Sequence, residues 1–221
     1  MKAAYITMPV SLLMAACGVG LILMSRHATS ALAAPAPANL PVHPVTPDMA
    51  KATAGMALKS AANFSVPDSS GKVHTLADLT DGKPMYIYFI LDNCPCSTSA
   101  EPLFHNLYAR YKGKINFVGV INADIKGAGV WAKSHGMPYT ILADAKCDIV
   151  HKYGAKHSVY NALVTPEGKI LKRWPGYSAD MLKEVNAKMA ELIGEPVKPF
   201  DPLYAPTVLS SGCLFPWPSG S

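Results

Sequence analysis

Met85-Tyr86-Ile87-Tyr88-Phe89-Ile90-Leu91-Asp92-Asn93-Cys94-Pro95-Cys96 is the stretch that decides the fold. Its unbroken apolar run, rich in ring and branched side chains, predicts a central strand covered on both faces rather than one with a wet side. The run stops at Asp92-Asn93. Beyond the two cysteines, Ala100, Leu103, Phe104, Leu107, Tyr108 and Tyr111 recur at helical spacing, with Ser97, Thr98 and Ser99 as candidate caps. Cys94 and Cys96 are therefore expected at a strand-to-helix junction, where the unpaired N–H groups of the first helical turn favour a thiolate.

Upstream, Phe64-Ser65-Val66 and Val73 to Leu76 flank the turn Asp68-Ser69-Ser70-Gly71-Lys72 and predict a hairpin. Downstream, Ile115 to Asn122 reads as a second buried strand, Gly127 to His135 as a helix, Thr140 to Ala143 as a short strand, and Asp148 to Tyr153 as a helical turn closed by Gly154. Tyr160 to Val164 and Lys169 to Trp174, joined by Thr165-Pro166-Glu167-Gly168, form another expected hairpin. Met181, Leu182, Val185, Met189, Leu192 and Ile193 give a last helix its apolar stripe. Strands alternating with helices and ending in a hairpin plus helix imply an α/β domain with a mixed sheet and helices on both faces.

The ends of the 221-residue chain read differently. Ala3 to Met24 is an apolar run after Lys2, closed by Ser25, Arg26 and His27, so residues 1–33 are expected to be a signal peptide or membrane anchor. Ala31-Leu32-Ala33 offers a cleavage site after Ala33. Leu13-Met14-Ala15-Ala16-Cys17 looks like a lipidation site, although Gly18 to Met24 stays apolar and Cys17 can equally fill an apolar helix. Residues 34–55 begin with an alternation of Pro and Ala that reads as an extended linker. Residues 195–221 carry many prolines and no period, and are expected to be an irregular tail lying on the domain or trailing from it. These boundaries leave 56–194 as the folded domain, facing the periplasm or the outside, held at the membrane if the leader stays uncut. The net charge of +5 is scattered rather than gathered into a stripe with interleaved aromatics, which argues against nucleic-acid binding.

Of five cysteines, Cys94, Cys96, Cys147 and Cys213 lie beyond the leader. A domain of this size folds without disulfide staples, so reactivity explains at least one pair better than stability does. Cys94 is the candidate nucleophile. Cys96 can attack a mixed disulfide formed there or close a strained Cys-x-Cys ring, whose strain would favour oxidation or isomerisation over reduction. Passive burial is the competing explanation. Two thiolates with His157 or His151 would also suit Cu(I), but lone histidines are more often surface or core residues, so neither a metal nor any other cofactor is assigned. Cys147, ahead of a short helix, is either a low-pKa thiol or an inert one, and Cys213 in the tail is either a resolving thiol or a bystander.

The segment from about Met56 to Ile193 resembles the redoxin branch of the thioredoxin superfamily, which holds TlpA-like thiol-disulfide oxidoreductases and AhpC/TSA peroxiredoxins. The resemblance rests on Asn63-Phe64-Ser65-Val66-Pro67-Asp68 with Gly71-Lys72, Lys83-Pro84-Met85 leading to Phe89, and the Cys94 to Pro102 junction. It continues through Val118 to Asp124, Gly136-Met137-Pro138-Tyr139, Tyr153-Gly154 and Pro166 to Ile170. It implies a thioredoxin-like three-layer fold. With Phe89 and Pro102 as fixed points, Cys94 takes the nucleophilic position, Ser97 replaces the family's second cysteine, Asn93 its tryptophan, and Val159 its cis-proline. Cys96 then stands in for the missing resolving thiol, or leaves that task to Cys147, Cys213 or another protein.

The peroxiredoxin signature Pro-x-x-x-Thr-x-x-Cys is not met. Counting back from Cys94 gives Leu91 and Ile87, and from Cys96 gives Asn93 and Phe89. The function expected is thiol-disulfide exchange with protein partners and an electron donor or acceptor. Peroxide reduction is the runner-up and Cu(I) carriage a third reading. Ser97 and Glu101 are candidates for orienting water or protons near the site, unless they are merely exposed helix-start polarity.

Overall fold

A computed structural model describes residues 43–217. The expected leader, with Cys17 and Ala33, and the Pro/Ala alternation lie outside the described residues. Among the described residues no helix is long and apolar enough to cross a membrane.

The quoted stretch forms the central strand, β4 (Met85–Ile90), of a five-stranded mixed sheet. Before it come β1 (His43–Pro44), α1 (Pro47–Ala54), β2 (Ser65–Pro67), β3 (Val73–Thr75) and α2 (Leu76–Leu79). After it come α3 (Pro95–Tyr111), β5 (Asn116–Ile121), α4 (Ile125–Ser134), β6 (Thr140–Ala143), α5 (Asp148–Lys152), β7 (Asn161–Val164), β8 (Ile170–Trp174), α6 (Ala179–Leu192) and β9 (Ser210–Ser211). The sheet order is β6-β5-β4-β7-β8. β4 runs parallel to β5, with Ile87 opposite Val118, and antiparallel to β7, with Ile87 opposite Ala162.

Every residue of β4 is buried. Because side chains alternate across a strand, Tyr86, Tyr88 and Ile90 enter one core with Leu103, Phe104 and Leu107 of α3 and Leu182, Val185 and Met189 of α6. Met85, Ile87 and Phe89 enter the other, with Val118, Val120, Val150 and Tyr153. A strand between two cores cannot spare a polar residue on either face, which explains the unbroken apolar run. The expected hairpins both form, β2 with β3 and β7 with β8.

Two features depart from the sequence reading, and a third takes one of its two alternatives. Helix α3 starts at Pro95 rather than at the serines: Pro95 sits in the first turn, where its missing N–H costs nothing, and Cys94 is the N-cap with no side-chain cap bond. The end of the 34–55 segment is not an extended spacer. Pro47–Ala54 is helical, capped by Thr46, whose hydroxyl accepts from Met49 N–H, with a proline again in the first turn. The described tail is irregular but packed. Arg110 Nε donates to Pro199 O, Asn106 Nδ2 to Asp201 O and Tyr204 Oη to Ser99 O, so the tail runs along α3 back to its start. There Ser210–Ser211 pairs with His43–Pro44, and Phe215 beyond it is buried in the second core.

Candidate active site

Cys94 lies at the end of the loop leaving β4, at the N-terminus of α3, and is almost fully buried. Asn93 before it takes a left-handed conformation that turns the chain into the helix, and Cys94 N–H donates to Leu91 O at 3.2 Å. Leu91 N–H is in turn held by Ser97 Oγ at 3.1 Å. Ser97 is thus a buried staple across the junction and not exposed polarity.

Three groups crowd the Cys94 sulfur. Cys213 Sγ stands 2.8 Å away and Ser158 Oγ 3.4 Å away. Cys96, the second residue of α3, is buried close by, and its thiol acts on the titration of Cys94. With Cys94 ionised, the Cys96 thiol donates most strongly, followed by Cys213 and Ser158, and together they overcome the cost of burial and lower the Cys94 pKa to about 3. The same contacts push the donors the other way. Cys96 is driven up by its bond to Cys94 and by burial, and Cys213 by burial and then by its bond to Cys94. One thiolate sits among proton-bearing partners.

The sequence reading did not bring Cys213 and Ser158 to the site together. Ser158 precedes Val159, the position where the resembling family has its cis-proline. Among the described residues there is no cis peptide bond, and Val159 instead adopts φ 62°, an uncommon conformation for a β-branched residue. Its N–H donates to Phe89 O at 2.7 Å, tying the loop to the end of β4. The tail then pairs with this loop: Ser158 N–H donates to Cys213 O at 2.9 Å, and Gly212 N–H to Ser158 O at 3.0 Å. Gly212 has to be glycine, since a Cβ there would overlap Ser158 Oγ and come within 2.7 Å of Val159 Cγ2. This main-chain ladder delivers Cys213 to Cys94.

The remaining candidates lie elsewhere. Cys147 is buried before α5, and burial together with the carboxylates of Asp144 and Asp148 pushes its thiol up to about 11, so it is not a low-pKa thiol. His151 Nε2 and His157 Nδ1 are engaged by tail carbonyls, Pro216 O at 2.8 Å and Gly212 O at 3.2 Å. The histidine beside the thiols is His43, absent from the sequence candidates. Glu101 is buried in α3 and accepts from Tyr139 Oη at 3.2 Å, with His105 Nδ1 3.9 Å away; burial raises its pKa to about 7. Its partners are these side chains and not the site thiols.

The AhpC/TSA family profile matches residues 58–173, from the loop after α1 to near the end of β8. The chain belongs to the AhpC/TSA family. Among curated relatives, chloroplastic peroxiredoxin Q of Triticum aestivum is 28% identical over 103 residues, covering 46% of this chain and 47% of the relative. The thiol-disulfide oxidoreductase ResA of Halalkalibacterium halodurans is 25% identical over 128 residues, 57% of this chain and 72% of that one. The chain thus matches about half the length of the peroxiredoxin Q relative. A crystal structure of a Sinorhizobium meliloti 1021 protein superposes with a TM-score of 0.59 at 24% identity, covering 74% of this chain and 96% of that one. The AhpC/TSA domain has the expected thioredoxin-like fold, with helices on both faces of a mixed sheet.

Proposed function

We propose that the protein is a thiol-disulfide oxidoreductase in which Cys94 is the attacking thiolate and Cys213 the resolving thiol. The observation that carries this reading is the Cys94 sulfur at the start of α3 with Cys213 Sγ at 2.8 Å. In the reductive direction, Cys94 attacks one sulfur of a client disulfide, the client S–S bond breaks, and one client thiolate leaves. Cys213 gives up its proton and attacks Cys94. The mixed disulfide breaks, the second client thiolate leaves, and two electrons have passed to the client as the Cys94–Cys213 bond forms. A dithiol donor reverses the change on the protein, and a reduced client dithiol that attacks the Cys94–Cys213 disulfide runs the cycle the other way, leaving as the client disulfide with Cys94 and Cys213 reduced.

Sequence alone puts the resolving role on Cys96. Geometry favours Cys213, because a sulfur 2.8 Å away needs to approach by only about 0.8 Å to reach bonding distance. Cys96 is sealed in the first turn of α3 and serves as a hydrogen-bond donor to the thiolate. Client proteins are the proposed substrates. The apolar leader and the Ala31-Leu32-Ala33 site support action outside the cytoplasmic membrane, by a cleaved or an anchored form.

The similarity to peroxiredoxin Q supports a second reading, peroxide reduction at Cys94. Against it, the position that would carry the signature threonine is Leu91, and the proline position is Ile87, deep in β4. Turnover assays separate the two. Disulfide reduction by the wild type with dithiothreitol, abolished in Cys94→Ser, supports exchange. Consumption of hydrogen peroxide without disulfide reduction overturns it in favour of a peroxidase.

A further inference from the structure

Imidazole of His43, Sγ of Cys96 and Sγ of Cys213 come together with their ligand atoms all within 4.8 Å of one another. They arrive from three places far apart in the chain. His43 is the first residue of β1, Cys96 lies in the first turn of α3, and Cys213 follows β9. The pairing of β1 with β9 sets their spacing, His43 opposite Ser211, with Ser211 Oγ on His43 O at 3.3 Å and Val45 N–H on Leu209 O at 3.0 Å. On the other side of Cys213, the ladder to Ser158 fixes the same segment. A two-residue strand of His and Pro has no apolar face to bury, and both its residues are exposed. What it brings to the domain is a nitrogen donor beside two sulfurs.

We infer that His43, Cys96 and Cys213 form a Cu(I) site. Two thiolates and one imidazole are a soft donor set, and soft sulfur ligands select Cu(I) over harder ions. Three donors complete the shell of this ion, whereas Zn(II) on the same three would need a water or a further protein ligand to reach four, and Cys94 is not in the set that closes within 4.8 Å. The three donors differ in access. Cys96 is buried, Cys213 half-buried and His43 exposed, so copper is held from below by sulfur and covered from above by a histidine that solvent reaches. A site open on one side exchanges its ion with another carrier without unfolding. Binding displaces the two thiol protons and changes no oxidation state. It requires reduced cysteines: when oxidised glutathione takes two electrons from the chain and forms a Cys94–Cys213 or a Cys94–Cys96 disulfide, with release of two reduced glutathiones, one copper ligand is lost either way. Copper occupancy and disulfide exchange at these thiols therefore exclude each other.

The test is anaerobic titration of the reduced protein with Cu(I) against the chelator bicinchoninate, with X-ray absorption on the loaded sample. One Cu(I) per chain withheld from the chelator, in a shell of two sulfurs and one nitrogen, is expected. His43→Ala should lose the nitrogen and weaken retention roughly tenfold or more, while Cys96→Ser and Cys213→Ser should abolish it. Prior oxidation with oxidised glutathione should abolish it in the wild type. Cys94→Ser should keep the copper although it ends exchange, so failure of the metal site and failure of the exchange reading are told apart. Copper lost to the chelator by the reduced wild type, or retained unchanged in the Cys96→Ser/Cys213→Ser double variant or in His43→Ala, overturns the assignment.

Discussion

At the scale of single residues, the chemistry follows from where charge is tolerated. Cys94 is buried, yet its thiolate is favoured because the Cys96, Cys213 and Ser158 groups donate to it. Glu101 is the opposite case. It is buried with the neutral phenols of Tyr139 and Tyr88 on one side, His105, itself held toward the neutral form by burial, on the other, and Tyr204 nearby, so its pKa rises to about 7. A carboxyl whose folded pKa lies above its unfolded value contributes stability that is fully present below about 4.5 and lost as pH rises through about 7. Glu101→Gln should therefore flatten the fall in unfolding free energy between pH 4.5 and 7 and leave the protein more stable than wild type at pH 8, by an amount on the order of 2 kcal/mol. Urea denaturation across that range measures it; identical pH profiles for the two proteins would contradict the assignment.

At the scale of elements, sequence legibility tracked locality. β4 was readable because a strand between two cores has to be apolar at every position, and α3 because its stripe meets both β4 and α6. The start of α3 was misplaced by three residues or more, its cap being Cys94 and not one of Ser97 to Ser99, because a serine is an obvious cap, whereas Pro95 in the first turn needs no side chain to satisfy it. α1 was hidden because its first proline continues the Pro-rich run, although Thr46-Pro47-Asp48 is itself a helix-start signal. In the described part of the tail, 195–217, the one regular element is β9 and the contacts are long-range: Ser211 reaches His43 across 168 residues, and two-residue strands carry no periodicity. The signal that it docks was Phe215, an aromatic residue that a trailing segment has no use for. Phe215→Ala, emptying a fully buried site, should cost about 3 kcal/mol of stability or release the tail. Gly212→Ala should act more selectively. Its Cβ forces the tail off Ser158 and Val159, so disulfide exchange should fall at least tenfold and limited proteolysis should cut near residue 212, while the circular dichroism of the domain stays that of the wild type. Unchanged exchange in this variant would mean that Cys213 is not needed.

At the scale of the whole molecule, segments that flank the AhpC/TSA match reach the candidate site. The family match ends at residue 173, yet His43 and Cys213 lie outside the matched range and stand beside Cys94 or Cys96. The thioredoxin-like domain supplies the strand end, the helix start and the Ser158–Val159 loop, and Cys213 and His43, from outside the matched range, bring a thiol and an imidazole beside them. Cleavage of the leader after Ala33 would make His43 the tenth residue of the mature chain and leave the site intact. The protein recovered from cells should therefore lie outside the cytoplasm and begin at Ala34, or retain the leader in the membrane; N-terminal sequencing of fractionated cells decides between them, and a full-length form in the cytosol would contradict extracytoplasmic action.

The central claim, that Cys94 and Cys213 form the working redox pair, is tested most directly by equilibrating the protein in glutathione buffers of graded potential and mapping its disulfides by mass spectrometry. A single reversible Cys94–Cys213 bond, titrating as a two-electron couple, is the predicted result; a Cys94–Cys96 bond, or Cys94 reduced throughout, would contradict it.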